Sequence, residues 1–180
     1  MNRRRSVLFF ALCGLLAALP ALDSYGMGRM EAPAVSSRSR TVEHVTDGDT
    51  LVLDGGERVR LIGIDTPEMH DEDRNGRTAR RMGLSARLVD DYSVRAREFL
   101  EKTLHGRSIR LEYDQERKDR YGRTLAYVYR EPDGLFVNAE MLKEGYGFAF
   151  TRFPFRYSEE FRRLEREAKG SRTGLWSGRS

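Results

Sequence analysis

Residues 41–64, TVEHVTDGDTLVLDGGERVRLIGI, hold three short β-type runs at 41–46, 50–53 and 58–64. Two strong turn signals, Asp47-Gly48-Asp49 and Asp54-Gly55-Gly56, separate them, so the three runs make an antiparallel meander. The rest of the chain has to complete a sheet and cover it. SVRAREFLEKTLHG reads as a helix from a Ser93 cap to Gly106, with Ala96, Phe99, Leu100 and Thr103 on one face. RSIRLEY alternates through Ile109, Leu111 and Tyr113, and RTLAYVYR through Leu125, Tyr127 and Tyr129, so each is a half-buried strand. NAEMLKEG reads as a short helix between an Asn138 cap and Gly145. SEEFRRLEREAKG is a last helix with Phe161, Leu164 and Ala168 inward. Residues 71–91 are strongly charged without a clean period and read as a mobile loop grading into a helix. The order of strands and helices predicts an α+β chain, mainly β: a five-stranded OB-fold barrel with about three helices.

The first residues stand apart from that domain. Arg3, Arg4 and Arg5 precede an apolar run from Val7 to Leu22, followed by small residues such as Ala21 and Gly26. This layout predicts a signal peptide over 1–26, cut after Ala21 or near Gly26. The competing reading is an uncleaved membrane anchor, for which the run falls short of the roughly 20 apolar residues usual in a span. Cleavage would remove three arginines and Asp23, taking the net charge from +4 to +2, a mild basic excess that permits an anionic partner. It would also remove Cys13, the only cysteine, so an exported mature chain has no disulfide and depends on its core or a bound ion. Residues 27–40 are small, polar and aperiodic and read as a flexible linker; the folded domain spans 41–178.

Three short stretches carry chemistry. In RLIGIDTPE, Arg60 lies inside an apolar run, where a guanidinium needs an anionic partner or a cleft opening. Pro67 ends the strand and directs Asp65 and Glu68 to one region. In DGDT, Asp49 opens the second strand, which the meander places beside the end of the third and so beside Asp65. Two carboxylates held together repel unless a cation sits between them, and all-oxygen ligation favours calcium or magnesium. In DRYGR, Arg123 opens the last strand at the barrel rim, where it and Arg60 would clamp a phosphate.

DGDT, then Arg60 with DTPE, then DRYGR, in this order and at these separations, resemble the staphylococcal nuclease (thermonuclease) family. The resemblance runs from residue 41 to about 178 and implies the same OB barrel. It implies that Asp49 and Asp65 ligate Ca²⁺ through carboxylates and Thr66 through its main-chain carbonyl. Glu68 would orient or deprotonate the attacking water. Arg60 and Arg123 would bind the scissile phosphate, and Tyr121 would lie near the nucleotide. The implied protein is a secreted or periplasmic monomer, free of the membrane once its leader is cut. It would hydrolyse DNA and RNA and leave 3′-phosphates. Two departures stand out. Residues 71–92 form a longer segment than in short family members, placed to form a loop over the site or alter access. Phe150, Phe153 and Phe155 stand where some members carry tyrosines, and would either stack on bases or pack beneath the last helix.

The rival function is a non-catalytic OB module binding nucleic acid or protein, since the fold hosts both uses. It leaves the joint presence of Asp49, Asp65, Glu68, Arg60 and Arg123 without a purpose. The histidines receive plainer roles: His70 solvated beside Asp71 and Asp73, His105 at a helix C-terminus, and His44 on a strand face. Trp176 is expected to anchor the C-terminus in an apolar groove.

Overall fold

The computed structural model describes residues 39–69 and 71–178. The leader, nearly all of the linker and His70 lie outside the described residues. Twelve elements run in order: β1 (Arg40–Asp47), β2 (Thr50–Leu53), β3 (Arg58–Leu61), β4 (Ile64–Asp65), α1 (Glu72–Met82), α2 (Ala86–Leu104), β5 (Ser108–Glu112), β6 (Thr124–Arg130), α3 (Val137–Lys143), β7 (Phe148–Ala149), α4 (Ser158–Gly170) and a 3₁₀ turn (Gly174–Gly178).

Five strands close into a barrel in the order β1-β2-β3-β6-β5, with β1 pairing back onto β5. The meander is antiparallel, as its turns dictate, and the only parallel pairing in the barrel joins β3 to β6. Closure leaves no open barrel edge, which suits a chain whose β-runs are short. Strand β1 serves two neighbours by bending, with register shifts between Val42 and His44 and between Val45 and Asp47. The expected OB-fold barrel is therefore present, with four α-helices instead of about three.

Inward residues of every barrel strand join one core: Val42 and Val45, Leu51 and Leu53, Val59 and Leu61, Ile109 and Leu111, Ala126 and Val128. The α2 face of Ala96, Leu100 and Leu104 completes it, packed against β1. On β6 the alternation is real but its faces are exchanged relative to the sequence-based expectation. Small Ala126 and Val128 enter the central core, whereas Tyr127 is buried against Tyr157 and Phe136 on the opposite face. A second core gathers α1, α2, β7, α4 and the 3₁₀ turn around Trp176, which is fully buried with Phe148 edge-on at 5.6 Å. Trp176 thus anchors the C-terminal end as expected.

Four local expectations change, each for a physical reason. The third strand stops at Leu61, because Gly63 takes φ +74°, and a Cβ there would meet Phe155 at 2.6 Å. The chain turns and Ile64-Asp65 pair instead with Phe148-Ala149. Within the 71–91 segment, residues 72–82 form one helix and residues 86–91 begin the next. Helix α1 is held by its ends: the Asp71 carboxylate accepts from Arg74 N at 2.8 Å, Gly83 closes in the left-handed region, and acids and bases complement the helix dipole. Helix α2 starts at a Ser85 cap, not at Ser93; Ser93 lies inside it and donates to Asp90 O at 2.7 Å. Asn138 lies inside α3 instead of capping it, and its buried amide accepts from Val128 N at 2.9 Å and donates to Ile62 O at 3.0 Å. That side chain ties the helix to β6 and to the turn that ends β3.

Candidate active site

The tight turn between β1 and β2 starts the site. Gly48 allows it: a Cβ there would lie 2.6 Å from Thr66 Oγ1 and 2.8 Å from Ala96 Cβ. The absence of a side chain brings Asp49 against Thr66, whose N–H and hydroxyl each donate to Asp49 Oδ2 at 3.3 Å. The other carboxylate oxygen of Asp49 accepts from Thr50 Oγ1 at 3.1 Å and is paired with Arg60. Asp49 is only 2% exposed, so its charge is held almost wholly by protein groups.

Arg60 stands opposite Thr50 in the β2–β3 register. Besides Asp49, it donates to Ile64 O at 3.1 Å and lies 3.4 Å from Asp65 Oδ1. Asp49 and Asp65 therefore converge as expected, but by a different path. Asp65 arrives on β4, past the Gly63 turn, and not at the end of the strand that pairs with β2.

Arg123 reaches the same rim from the residue just before β6. Asp119 fixes it, accepting from Arg123 Nε at 2.7 Å and from its main-chain N–H at 3.0 Å. Its guanidinium donates to Thr50 Oγ1 at 3.2 Å. Thr50 is thus a junction, touching Arg123 on one side and Asp49 on the other. Burial pushes the Arg60 pKa down, Asp65 opposes that, and the nearby positive charge of Arg123 adds to it. Two cations held close at one rim favour an anion between them.

The remaining acids sit at the mouth. Burial raises the Glu68 pKa above its ordinary value of 4.5, with Arg74 pulling it down and Asp47 and Asp65 pushing it up. Asp47 is also raised, chiefly by burial and against the pull of Thr50, Arg60 and Arg123. A carboxyl with a raised pKa beside arginines is suited to accept a proton from water.

Three residues that the sequence does not mark belong here. Asp47 is one, the first residue of the Asp47-Gly48-Asp49 turn, in which the sequence points to Asp49 alone. The others sit in the charged segment after Glu68. Asn75 is 2% exposed and clamps the Glu68 backbone from both sides, accepting from its N–H at 3.0 Å and donating to its carbonyl at 2.6 Å. It also donates to Asp90 on α2 at 2.7 Å. Arg74 pairs with Glu68 and lies 2.9 Å from Asp65 Oδ1. The only available signal is the Asp71 cap, which starts a helix immediately beyond the acids.

Tyr121 is 65% exposed beside Arg123, with the Arg120 and Arg123 guanidiniums 4.7 and 5.6 Å from its ring centre. The three phenylalanines divide. Phe155 packs on Phe161 and over Gly63, whereas Phe153 is 61% exposed with Phe150 6.1 Å away. Among the described residues, no group of three or more His, Cys, Asp and Glu side chains is arranged to hold a metal ion. Asp49, Asp65 and Glu68 are instead each paired with an arginine. Carboxylate oxygens are the donors that a hard cation takes.

A closed five-stranded barrel that gathers acids and arginines at one rim is an OB fold with a site suited to phosphate esters. Comparison with known sequences gives the family. Residues 58–178 match the model for staphylococcal nuclease homologues. The chain is 33% identical to the thermonuclease of Staphylococcus intermedius over 174 residues, covering 94% of this chain and 95% of that protein. It is 34% identical over 140 residues to the thermonuclease of Staphylococcus hyicus, covering 76% of this chain and 74% of that protein. It is 33% identical over 143 residues to endonuclease YncB of Bacillus subtilis, covering 76% and 61% respectively. The chain belongs to the staphylococcal nuclease family and is a nuclease hydrolase.

Proposed function

We propose that this nuclease is a secreted or periplasmic endonuclease that hydrolyses DNA and RNA with Ca²⁺ and leaves 3′-phosphates. The observation that carries the reading is the linkage of Arg60 and Arg123 through Asp49 and Thr50, with Glu68 at the same mouth. Secretion is supported by the charged-then-apolar leader in the sequence; among the described residues no helix is long and apolar enough to cross a membrane.

In this reading Arg60 and Arg123 grip the non-bridging oxygens of the scissile phosphate. Both are fixed before substrate arrives, so they stabilise developing charge without reorganising. Asp49, Asp65 and the Thr66 carbonyl would hold Ca²⁺, which supplies Lewis-acid polarisation of a phosphate oxygen. Glu68 orients or deprotonates the attacking water, and Asn75 sets its position through the main chain. Tyr121 and Phe153 offer exposed rings on which bases stack, a contact tolerant of sequence because every base has a π-face.

The test is digestion of single-stranded DNA by the purified protein across a calcium titration, followed by chelation. The expected result is cleavage that needs calcium and stops on chelation. Intact DNA at every calcium concentration would refute the reading.

A further inference from the structure

Arg74 is placed where a surface arginine has no structural need to be. It lies at the start of α1, outside the barrel, yet its guanidinium spans two acids: Asp65 on β4, at 2.9 Å, and Glu68 beyond Pro67. The next residue, Asn75, fixes this part of the helix to the Glu68 backbone, so the reach of Arg74 is set by the fold. With all groups ionised, five carboxylates (Asp47, Asp49, Asp65, Glu68 and the Asp119 that holds Arg123) face three guanidiniums (Arg60, Arg74, Arg123) at this mouth. The site is two negative charges from neutrality. A dication then neutralises it and removes its repulsion of phosphate. Without Arg74, the same dication would leave it net negative.

We propose that Arg74 is a third active-site arginine: it holds Asp65 and Glu68 until a divalent cation takes Asp65, and then contributes its charge to binding the substrate phosphate. The inference rests on the calcium-nuclease reading above. It gives the longer segment after Glu68 a specific task, which is to trade cation affinity for phosphate affinity. The two consequences have opposite signs. A guanidinium beside Asp65 opposes a dication there, so removing it strengthens cation binding. The same removal weakens binding of an anion to the loaded site. A merely structural arginine would weaken both when lost. Its side chain is 39% exposed, so a shorter polar side chain is accommodated.

The experiment is calorimetry on wild type, Arg74→Gln and Arg74→Lys. Calcium is titrated first without substrate, and then thymidine 3′-monophosphate is titrated in excess calcium. For Arg74→Gln the expected result is calcium binding tighter by about ten-fold and nucleotide binding weaker by about ten-fold, as for loss of one nearby charge. Arg74→Lys, which keeps the charge, is expected to keep both affinities within about three-fold of wild type. Weakening of both affinities in Arg74→Gln, or no change in either, overturns the proposal, as does a lysine variant that behaves like the glutamine one. Wild type that binds no calcium would refute the calcium reading and this proposal together; calcium binding unaltered by Arg74→Gln would refute this proposal alone.

Discussion

The site has two halves that are built differently. Asp49, Thr50, Arg60 and Arg123 stand on or beside barrel strands, and the first two are almost fully buried. Asp65 on β4, Glu68 beyond it, and Arg74 and Asn75 on α1 stand outside the barrel, where the Glu68 and Arg74 side chains keep 29% and 39% exposure. Strand register and the closed barrel fix the first half. The second is held by one asparagine amide and by ion pairs at a partly exposed mouth. In the proposed function the difference assigns roles: Arg60 and Arg123 of the barrel half would present a rigid grip for phosphate, and the helical half, with Asp49 at the barrel rim, an adjustable arrangement around the cation and water.

The largest effects are expected from groups acting on the reaction itself. Glu68→Gln should lower turnover by about 10²–10⁴-fold through lost proton transfer. Arg123→Ala should cost about 10²–10³-fold through lost charge stabilisation. Both variants should keep the barrel's cooperative thermal unfolding, read by circular dichroism, because neither side chain enters the core. Wild-type rates in both would dissolve the distinction between the halves.

Asn75→Ala comes next. It should leave Glu68 free to drift and lower turnover by roughly ten-fold or more, since small misplacements are costly. It should also destabilise by about 1–3 kcal/mol, because buried polar partners lose their bonds. Stability loss with unchanged turnover would make α1 a brace and not part of the site.

The pH profile gives a signed test of the helical half. Burial raises the Glu68 pKa, so its basic form is lost as pH falls through a value above 4.5, and the acid limb of kcat/KM should lie there. Arg74 pulls that pKa down, so Arg74→Gln should move the limb to higher pH. Movement to lower pH would contradict the ion pair. The smallest effect is expected at the periphery. Tyr121→Ala should raise KM for oligonucleotides by an amount matching about 1–3 kcal/mol of stacking, with little change in stability, as its ring is exposed.

The same division governs what the sequence discloses. The barrel half is legible because glycine turns set the meander, and register then carries Asp49, Thr50 and Arg60 to one rim. Arg123 follows from its place at the head of an alternating run. The helical half is obscured because α1 owes its existence to caps and end charges, and only Asn75 and Ala79 are buried along it. Its partner helix is half legible: Val89, Tyr92 and Ala96 continue the face of Leu100 back to Ser85, yet Ser93 offers an equally good cap by residue type. The Gly63 turn stays hidden, since a glycine in an apolar run looks like a strand residue until Phe155 is packed against it. Asn138 has the composition of a cap and the environment of a core bond, which only the assembled barrel distinguishes.

The division of labour between the halves is tested most directly by calorimetric calcium titration of Asp65→Asn and Arg123→Ala beside wild type. With that division, Asp65→Asn is expected to lose calcium binding by at least about ten-fold, whereas Arg123→Ala is expected to bind calcium at least as tightly as wild type. Equal loss in both variants would contradict it, because the two halves would then be a single cation site with no separate phosphate grip.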